Sequence, residues 1–236
     1  MNILSINLGS FFSSKELLES YCHDKKIDIV CIQETFEHKV KPNLPGWIPY
    51  TKPRKSNPSG TNPHGGVAII GRSNTKLTYS KINSTCPDIE IVCCDTYIEN
   101  QKVLLICVYI LDQQSMDKLC LWLHKIDFAK YPNILLFGDF NAHHIFWDPK
   151  LYLKKMGEGD TLGKTLFTCI NINNFKILND KKPTCRQGNN VIDLAMVKGL
   201  HDCQIVCYTD PFPILSTIHN PIITRVGKPL NNIKVK

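Results

Sequence analysis

The sequence predicts a single α/β domain in which β-sheets pack face to face with helices on the outside. Three observations favour this class. Short apolar runs rich in β-branched residues recur along the chain, helical stretches lie between them, and one adjacent pair of runs is joined by a hairpin-length link. With 236 residues and 43% apolar content, the chain can bury a large core within one domain.

Eight apolar runs are predicted to be β-strands. Each is continuous rather than alternating, which is typical of strands covered on both faces. The predicted strands are Asn2–Asn7, Ile27–Gln33, Val67–Gly71, Ile89–Thr96, Lys102–Ile110, Ile134–Phe137, Val191–Val197 and Pro221–Val226. The fourth and fifth are joined by the short link IENQ, which predicts a β-hairpin.

Three stretches between the strands are predicted to be helices. Residues 13–25 start with a serine as N-cap and carry Glu16 in the first turn. Residues 113–130 have apolar side chains at helical spacing, and residues 160–173 form the third candidate.

No linker, repeat or low-complexity segment divides the chain. We therefore predict one domain over residues 1–227 and a short basic tail over residues 228–236. The amino-terminal residues have the pattern of a strand rather than of a signal peptide, and no apolar run approaches the roughly 20 residues that span a bilayer. We expect a soluble, monomeric intracellular protein, nuclear or cytoplasmic, that is neither secreted nor bound to a membrane.

The 11 cysteines raise the alternatives of disulfides, a zinc site or free thiols. The sequence contains no Cys-x-x-Cys pair, and several cysteines lie inside predicted strands, namely Cys31, Cys93, Cys94 and Cys107. Such positions are typical of small buried residues in a reducing compartment.

The formal charge of +7, from 28 Lys+Arg against 21 Asp+Glu, suits a polyanionic partner. Two short basic clusters are candidate DNA contacts. They comprise Lys52, Arg54 and Lys55, and Lys181, Lys182 and Arg186. Each cluster alone is better explained as a solvated surface, but together they favour nucleic acid as the partner.

Polar side chains recur at the ends of the predicted strands or inside apolar runs. They are Asn7, Glu34, Tyr109, Asp139, Asn141, Asp193 and His219. A carboxylate inside the apolar run around Asp193 is costly to bury unless it is paired or hydrogen-bonded. Each residue alone has a structural explanation, such as a cap or a turn. Their recurrence favours a shared site.

These residues, in this order, resemble the exonuclease–endonuclease–phosphatase superfamily, and within it the AP-like endonuclease domains of non-LTR (LINE-type) retrotransposons. The most specific matches are CIQET at residues 31–35 and GDFNAHHIFW at residues 138–147, and the latter is most similar to the jockey-like branch. The resemblance implies a four-layered α/β sandwich of the deoxyribonuclease I type, with two packed mixed sheets flanked by helices.

The resemblance also implies a metal-dependent phosphodiesterase site. It assigns the metal to Glu34 with Asn7 nearby, and Mg²⁺ as the ion, for which Mn²⁺ can substitute. Asp139 would orient and deprotonate the attacking water, and Asn141 would position water or phosphate.

The remaining roles concern the phosphate. Tyr109 would donate a hydrogen bond to a phosphate oxygen, and protonated His219 would stabilise the pentacoordinate phosphorus. Asp193 would fix the histidine ring and raise its pKa. Supporting roles fall to Thr184 and Ser216.

The sequence departs from the family pattern at one position. The family ends its catalytic set with Ser-Asp-His, whereas Ile218 precedes His219 here. Three accounts remain open: an impaired enzyme that relies on Glu34, replacement of the missing carboxylate by Asp210, or a decayed or repurposed DNA-binding module. The pair His143–His144, with Trp147, is interpreted as the rim of the cleft rather than as a metal site.

The function predicted from the resemblance is a Mg²⁺-dependent endonuclease that nicks double-stranded DNA and leaves a 3′-hydroxyl. In a parent retrotransposon this end would prime a reverse transcriptase, which is then a partner. Whether the chain is an excised domain or a stand-alone product stays open. The alternatives are a DNA-binding module without catalysis and an enzyme that acts on a small phosphoester.

Overall fold

A computed structural model describes residues 1–37, 41–54, 65–153, 157–211 and 217–228. It contains two six-stranded sheets. In spatial order, the first sheet consists of β11 (Gln204–Thr209), β12 (Ile222–Gly227), β1 (Asn2–Asn7), β2 (Ile29–Gln33), β4 (Val67–Arg72) and β3 (Trp47–Lys52). The second consists of β5 (Thr78–Tyr79), β6 (Glu90–Ile98), β7 (Gln101–Tyr109), β8 (Ile134–Asp139), β10 (Asp193–Lys198) and β9 (Lys176–Ile177).

Both sheets are mixed. Strand β1 pairs in parallel with β2, and β7 pairs in parallel with β8, while the remaining neighbours are antiparallel. The expected hairpin joins β6 to β7, and its two residues Glu99 and Asn100 have positive φ angles, which suit a tight turn between antiparallel strands.

Helices cover the outer faces of both sheets. They are α1 (Phe11–Asp24), α2 (Gln113–His124), α3 (Lys150–Leu153) and α4 (Thr161–Ile172). Helix α1 packs on the first sheet through Phe11 and Leu18, whereas α2 and α4 pack on the second through Leu119 and Leu166. A separate buried cluster fills the space between the sheets. The order helix, sheet, sheet, helix confirms the predicted four-layered sandwich.

All eight predicted strands are present; the first has the predicted bounds, and the ends of the others shift by at most two residues. Four further strands were not predicted: β3, β5, β9 and β11. Two of them contain only two residues, β3 contains Pro49, and β11 is half exposed. Strands β3, β5 and β9 lack the continuous apolar run on which the strand predictions relied, whereas β11 contains one at residues 205–208 that the sequence analysis overlooked.

The three predicted helices correspond to α1, α2 and α4. Asp112 and Asp160 cap the last two, since their side chains accept hydrogen bonds from Ser115 N and Gly163 N. The predicted start of α1 is wrong. This helix begins at Phe11, its N-cap residue Ser10 makes no side-chain cap bond, and Glu16 therefore lies beyond the first turn.

Some predicted features lie outside the described residues: Lys55, Ser216 and residues 229–236 of the basic tail. Within the described part of the chain, no helix has both the length and the apolar character that crossing a membrane requires.

Candidate active site

The pleat of the strands brings the predicted polar residues to one edge of the cleft between the sheets. In β8, Leu135 and Phe137 belong to the cluster between the sheets, so Asp139 continues the same face. The same alternation applies to Asp193 at the start of β10, which pairs directly with Asp139. Tyr109 at the end of β7 is the partner of Asp139 on its other side. The neighbouring strands β7, β8 and β10 therefore place Tyr109, Asp139 and Asp193 side by side in the sheet.

Asp139 is held by three neighbouring groups. Asn7 Nδ2 donates to its Oδ2 at 2.9 Å, and Asn141 N donates to its Oδ1 at 3.0 Å. Burial and the charge of Asp193 raise the pKa of the Asp139 carboxyl to about 7, against the opposing effects of His219 and these hydrogen bonds. A carboxyl with a pKa near neutrality is suited to accept and return protons at physiological pH.

His219 and Asp193 form a buried pair. Nδ1 of the imidazole lies 2.8 Å from Asp193 Oδ2, and Nε2 lies 4.0 Å from Asp139 Oδ2. Burial alone lowers the pKa of His219, but the charge and hydrogen bond of Asp193, with smaller contributions from Asp139 and Glu34, raise it to about 9. The imidazole is therefore a cation at neutral pH that faces the carboxylate of Asp139.

Thr184 positions the Asp193 segment from behind. Its Oγ1 accepts hydrogen bonds from the backbone N–H groups of Ile192 and Asp193 at 3.1 and 3.0 Å. Asn179, which the sequence analysis missed, donates to Asp193 O at 3.0 Å and accepts from Ala195 N. No motif marked Asn179, since a lone asparagine after a short edge strand is indistinguishable from a turn residue.

Glu34 lies immediately after β2 with a positive φ of 53°, which turns the chain at the edge of the cleft. Its Oε1 accepts a short hydrogen bond from the hydroxyl of Tyr109. Burial, followed by the hydrogen bond and charge of Glu34, raises the pKa of Tyr109 well above its usual value, so the phenol stays protonated and can donate.

Asn141 contacts the site mainly through its backbone. Its side-chain Nδ2 donates to Ile110 O at 2.9 Å, and its φ of 47° directs the backbone N–H toward Asp139. The structure brings Asn141 next to the carboxylate of Asp139, and its side-chain amide is bound to the residue that follows β7.

Thr217 is a site residue that the sequence analysis missed. Its Oγ1 donates to Asn7 O at 2.7 Å and accepts from His219 N at 3.1 Å, so it connects the amide that holds Asp139 to the segment that carries the histidine. The sequence analysis chose the neighbouring serine instead, because Ser-Asp-His is the usual family pattern. Counting the family pattern back from His219 places Thr217 at the serine position, and that offset could have identified it.

Ile218 is the exposed residue of this segment. Its side chain is 46% exposed, while its neighbours Thr217 and His219 are buried. Asp210 does not take the place of the missing carboxylate, because it accepts from Tyr21 Oη at 2.9 Å and lies 2.6 Å from Lys25 Nζ, against α1 and its following residue. Both contacts hold Asp210 at the outer face of the first sheet.

The rim interpretation concerned His143, His144 and Trp147, and two of these three side chains are buried. His144 stacks on Phe167 with ring centroids 4.3 Å apart, and Trp147 is fully buried with its indole N–H donating to Ala142 O. Both side chains pack beneath the loop that follows β8 and support it. His143 is only partly buried.

The predicted basic clusters flank the site from two sides. Arg54 Cζ lies 5.6 Å from the Tyr109 ring centroid. Arg186 donates through its backbone N–H to Ile218 O at 2.8 Å and through its guanidinium to Thr217 O. The lysines of these clusters lie at more exposed positions: Lys52 is half exposed, and Lys181 and Lys182 are exposed.

The buried acidic groups and the histidine could hold a metal. Ligand atoms of Asp139, Asp193 and His219 lie within 4.8 Å of one another. This set differs from the predicted pair of Glu34 and Asn7. Carboxylate oxygens are the ligands that hard divalent cations prefer, and Glu34 keeps Oε2 free of hydrogen bonds from the described residues. The donor set at this edge therefore suits a divalent cation.

A family match identifies the chain. The sequence profile of the endonuclease-reverse transcriptase family matches residues 103–223, just over half of the chain, and this range includes Tyr109, Asp139, Asp193 and His219. The chain belongs to the endonuclease-reverse transcriptase family. No curated protein matches the sequence.

Solved structures agree with this family membership. The endonuclease domain of TRAS1, a telomere-specific non-LTR retrotransposon, superimposes with a TM-score of 0.76 at 17% identity, over 96% of this chain and 98% of that domain. The catalytic domain of APE2 from Xenopus laevis gives a TM-score of 0.71 at 14% identity, over 98% and 94% of the two chains. The predicted superfamily and deoxyribonuclease I-like fold are confirmed, while the jockey-like branch stays a prediction.

The same fold occurs in an enzyme with a different substrate. The mannosyl-6-phosphatase Bt3783 of Bacteroides thetaiotaomicron gives a TM-score of 0.65 at 12% identity, over 96% of this chain and 99% of that chain. At such identities the likeness concerns the fold alone. The substrate of this endonuclease-reverse transcriptase family member must therefore be inferred from its own residues.

Proposed function

We propose that the chain is a Mg²⁺-dependent DNA endonuclease that nicks one strand of double-stranded DNA by phosphodiester hydrolysis. The observation that carries the proposal is the line of three buried groups Asp193, His219 and Asp139. In that line a carboxylate holds a cationic imidazole whose free nitrogen lies 4.0 Å from a second carboxylate. Such a pair supplies a base and a cation at one edge of the cleft.

Asp139 acts as the base in this proposal. Asn7 and Asn141 fix both of its oxygens, so the carboxylate is preorganised to orient a water and accept its proton. The water oxygen attacks phosphorus as the bond to the 3′ oxygen breaks. The 3′ oxygen takes up a proton, which leaves a 3′-hydroxyl and a 5′-phosphate.

His219 and Tyr109 stabilise the phosphoryl group. The protonated imidazole donates from Nε2 to a non-bridging oxygen, and Asp193 keeps the ring both oriented and charged. Tyr109, held protonated beside Glu34, donates to another oxygen.

Glu34 and Asp139, with Asn7 beside them, are the residues that would hold Mg²⁺, and Mn²⁺ meets the same oxygen ligands. The bound ion neutralises charge on the phosphoryl oxygens as a Lewis acid. The absence of a carboxylate at Ile218 leaves Glu34 as the main carboxylate for this role. We infer reduced affinity for the ion and activity that is lowered but retained.

The substrate and cellular role follow from the family and the charge of +7. Double-stranded DNA is proposed as the partner, with the basic clusters contacting its phosphates and making binding salt-sensitive. In a parent element, the 3′-hydroxyl would prime a reverse transcriptase at the target. The protein would act inside the cell as a monomer, with residues 1–227 as its single domain.

A DNA-binding module without catalysis is the second candidate. Ile218, an exposed apolar residue where the family has a metal-facing carboxylate, is the observation that favours it. Under this alternative, DNA binding depends on salt but no strand is cut.

A plasmid-nicking assay in Mg²⁺ tests the proposal, with the native chain beside Asp139→Ala and Ile218→Asp. Nicking by the native chain that is lost in Asp139→Ala supports the endonuclease. Nicking by Ile218→Asp alone supports a decayed site on a competent scaffold. If none nicks while DNA is bound, the binding module stands, and release of phosphate from a sugar phosphate by the native chain would point to a small phosphoester instead.

A further inference from the structure

Arg54 and Glu90 form an ion pair beside the cleft, and the proposed function gives Glu90 no role. The guanidinium of Arg54 is bound by the carboxylate of Glu90, with Nε donating to Oε1, and the two side chains are only 24% and 13% exposed. Removing both charges from water is costly, so a pair of this kind needs additional hydrogen bonds. Gly66 N provides one by donating to the other oxygen of Glu90.

The pair is attached to the catalytic edge by strand register. Glu90 is the first residue of β6 and pairs directly with Tyr109, the last residue of β7. The guanidinium of Arg54 lies against the ring of that tyrosine, with Cζ 5.6 Å from the centroid. The hydroxyl of Tyr109 donates to Glu34, the predicted metal-binding residue. The tyrosine side chain therefore contacts both Arg54 and Glu34.

Two glycines make room for this arrangement. A Cβ atom at Gly65 would lie 2.5 Å from Arg54 Cζ, and one at Gly66 would lie 2.6 Å from Thr35 Oγ1. Both have positive φ angles, 124° and 88°, which side-chain-bearing residues rarely adopt. Their carbonyls accept from Phe36 N and Thr35 N, the residues that follow Glu34. The Gly-Gly pair thus fixes Arg54 and the Glu34 turn relative to each other.

We propose that Arg54 binds a backbone phosphate of the DNA strand at the Tyr109 side of the cleft, and that Glu90 positions it. This inference rests on the proposed endonuclease function and deepens it. Glu90 engages Nε and one terminal nitrogen of the guanidinium, and no described residue accepts from Nη1. An arginine has five N–H donors in a rigid plane, so a carboxylate on one edge orients the other edge. Arg54, which follows the edge strand β3, would then complement His219, which precedes β12 toward the other edge of the same sheet.

The test combines kinetics with binding in the full chain. We expect Arg54→Ala to raise KM for duplex DNA about tenfold, the effect of one lost charged hydrogen bond, with a smaller change in kcat. The slope of log affinity against log salt, measured in EDTA, should fall by about one. Arg54→Lys should restore that slope but not the KM, because lysine cannot form the same planar contact.

Glu90→Gln tests positioning without removing the cation. It should raise KM as Arg54→Ala does, and the two changes should not add, because both act through one contact. Lys102→Ala is the matched control. Lys102 is ion-paired to Asp95 at 2.7 Å and begins the same strand that ends at Tyr109, roughly 23 Å away at the usual rise per residue. Its loss should change neither KM nor the salt slope.

A double variant separates phosphate binding from folding. Arg54→Met with Glu90→Leu keeps the volume of the pair without its charges, and such replacements are often neutral for stability. A folded double variant with native KM and native salt slope would overturn the inference. If the native chain binds DNA without nicking it, the endonuclease proposal fails. The salt slopes of the variants then decide whether Arg54 binds a DNA phosphate. If the native chain does not bind DNA, both proposals fail.

Discussion

His219 and Asp193 form a buried ion pair in which Nδ1 lies 2.8 Å from Oδ2. The side chains are 9% and 2% exposed, so solvent screens their interaction weakly. Burial opposes the charge on the imidazole, and the carboxylate overcomes it, so that the pKa of His219 is raised to about 9. The carboxylate of Asp193 therefore both orients the imidazole of His219 and keeps it charged.

Asp193→Asn should separate these two effects. The amide still accepts a hydrogen bond from Nδ1, but without the carboxylate charge burial dominates and the pKa of His219 falls below 9. We expect nicking at pH 8 to fall about a hundredfold or more, with a smaller loss at pH 6. Nicking rates at both pH values, with a histidine titration followed by NMR, measure this. Equal losses at both pH values would show that orientation alone matters.

The rate of nicking should depend on pH as a bell. Asp139 acts as a base only when deprotonated, so activity rises as pH increases through its pKa of about 7. His219 acts only when protonated, so activity declines as pH passes its pKa of about 9. The two limbs are expected near these values at low Mg²⁺, and kcat/KM from pH 5 to 10 reports them. The alkaline limb should disappear in His219→Gln, which keeps only residual activity.

Stability should fall as the solution becomes alkaline. The folded-state pKa of His219 is raised from 6.5 to about 9, so its contribution is fully present below pH 6.5 and is lost as pH rises through 9. Urea unfolding in EDTA at several pH values measures the slope. His219→Gln has no titrating group there and should flatten the curve between pH 6.5 and 9. A native curve that rises over this window would contradict the raised pKa.

The site residues that could be predicted from the sequence are polar or titratable residues within apolar runs or at their ends. Asp139, Asp193 and His219 are titratable groups within or next to apolar runs, and burying them without partners is costly. The period of two along a strand accounts for the shared face of Asp139 and Asp193, because odd-numbered positions in β8 and β10 line the space between the sheets. The pairing of these two strands and the position of His219 do not follow from local sequence, and the roles of the three residues were taken from the family resemblance.

The residues that the sequence analysis did not predict act through contacts between segments that are distant in the sequence. Thr217 bonds to Asn7 across 210 positions, and Glu90 binds Arg54 across 36. A threonine or a glutamate carries no local mark of such a partner. The edge strand β3 was missed for a related reason, since its half-exposed residues pair with β4 through backbone groups that any sequence possesses.

Thr184→Val should weaken both the fold and the catalytic step. Its Oγ1 accepts from the buried N–H groups of Ile192 and Asp193, and valine leaves both without a partner. Each unsatisfied group costs about 1–3 kcal/mol, so we expect the two together to lower the free energy of unfolding by roughly 2–6 kcal/mol. Thr184→Ser retains the hydroxyl and should stay within about 1 kcal/mol of the native chain. Urea unfolding distinguishes them, and equal stabilities would contradict a role for the hydroxyl.

Ile218→Asp should strengthen metal binding at little cost in stability. The Ile218 side chain is 46% exposed, so a carboxylate there keeps access to water and breaks no described packing of the core. It also returns to the cleft edge the acidic group that the family pattern has next to the histidine. We expect the Mg²⁺ concentration for half-maximal nicking to fall about tenfold, which corresponds to roughly 1.4 kcal/mol.

Ile218→Asn is the matched control, because it has the same shape as aspartate without the charge. If the added charge strengthens metal binding, Ile218→Asn should require as much Mg²⁺ as the native chain while Ile218→Asp requires less. A Mg²⁺ titration of plasmid nicking compares the three proteins. Identical midpoints would mean that Glu34 and its neighbours already bind the ion fully, and that isoleucine at this position is neutral for catalysis.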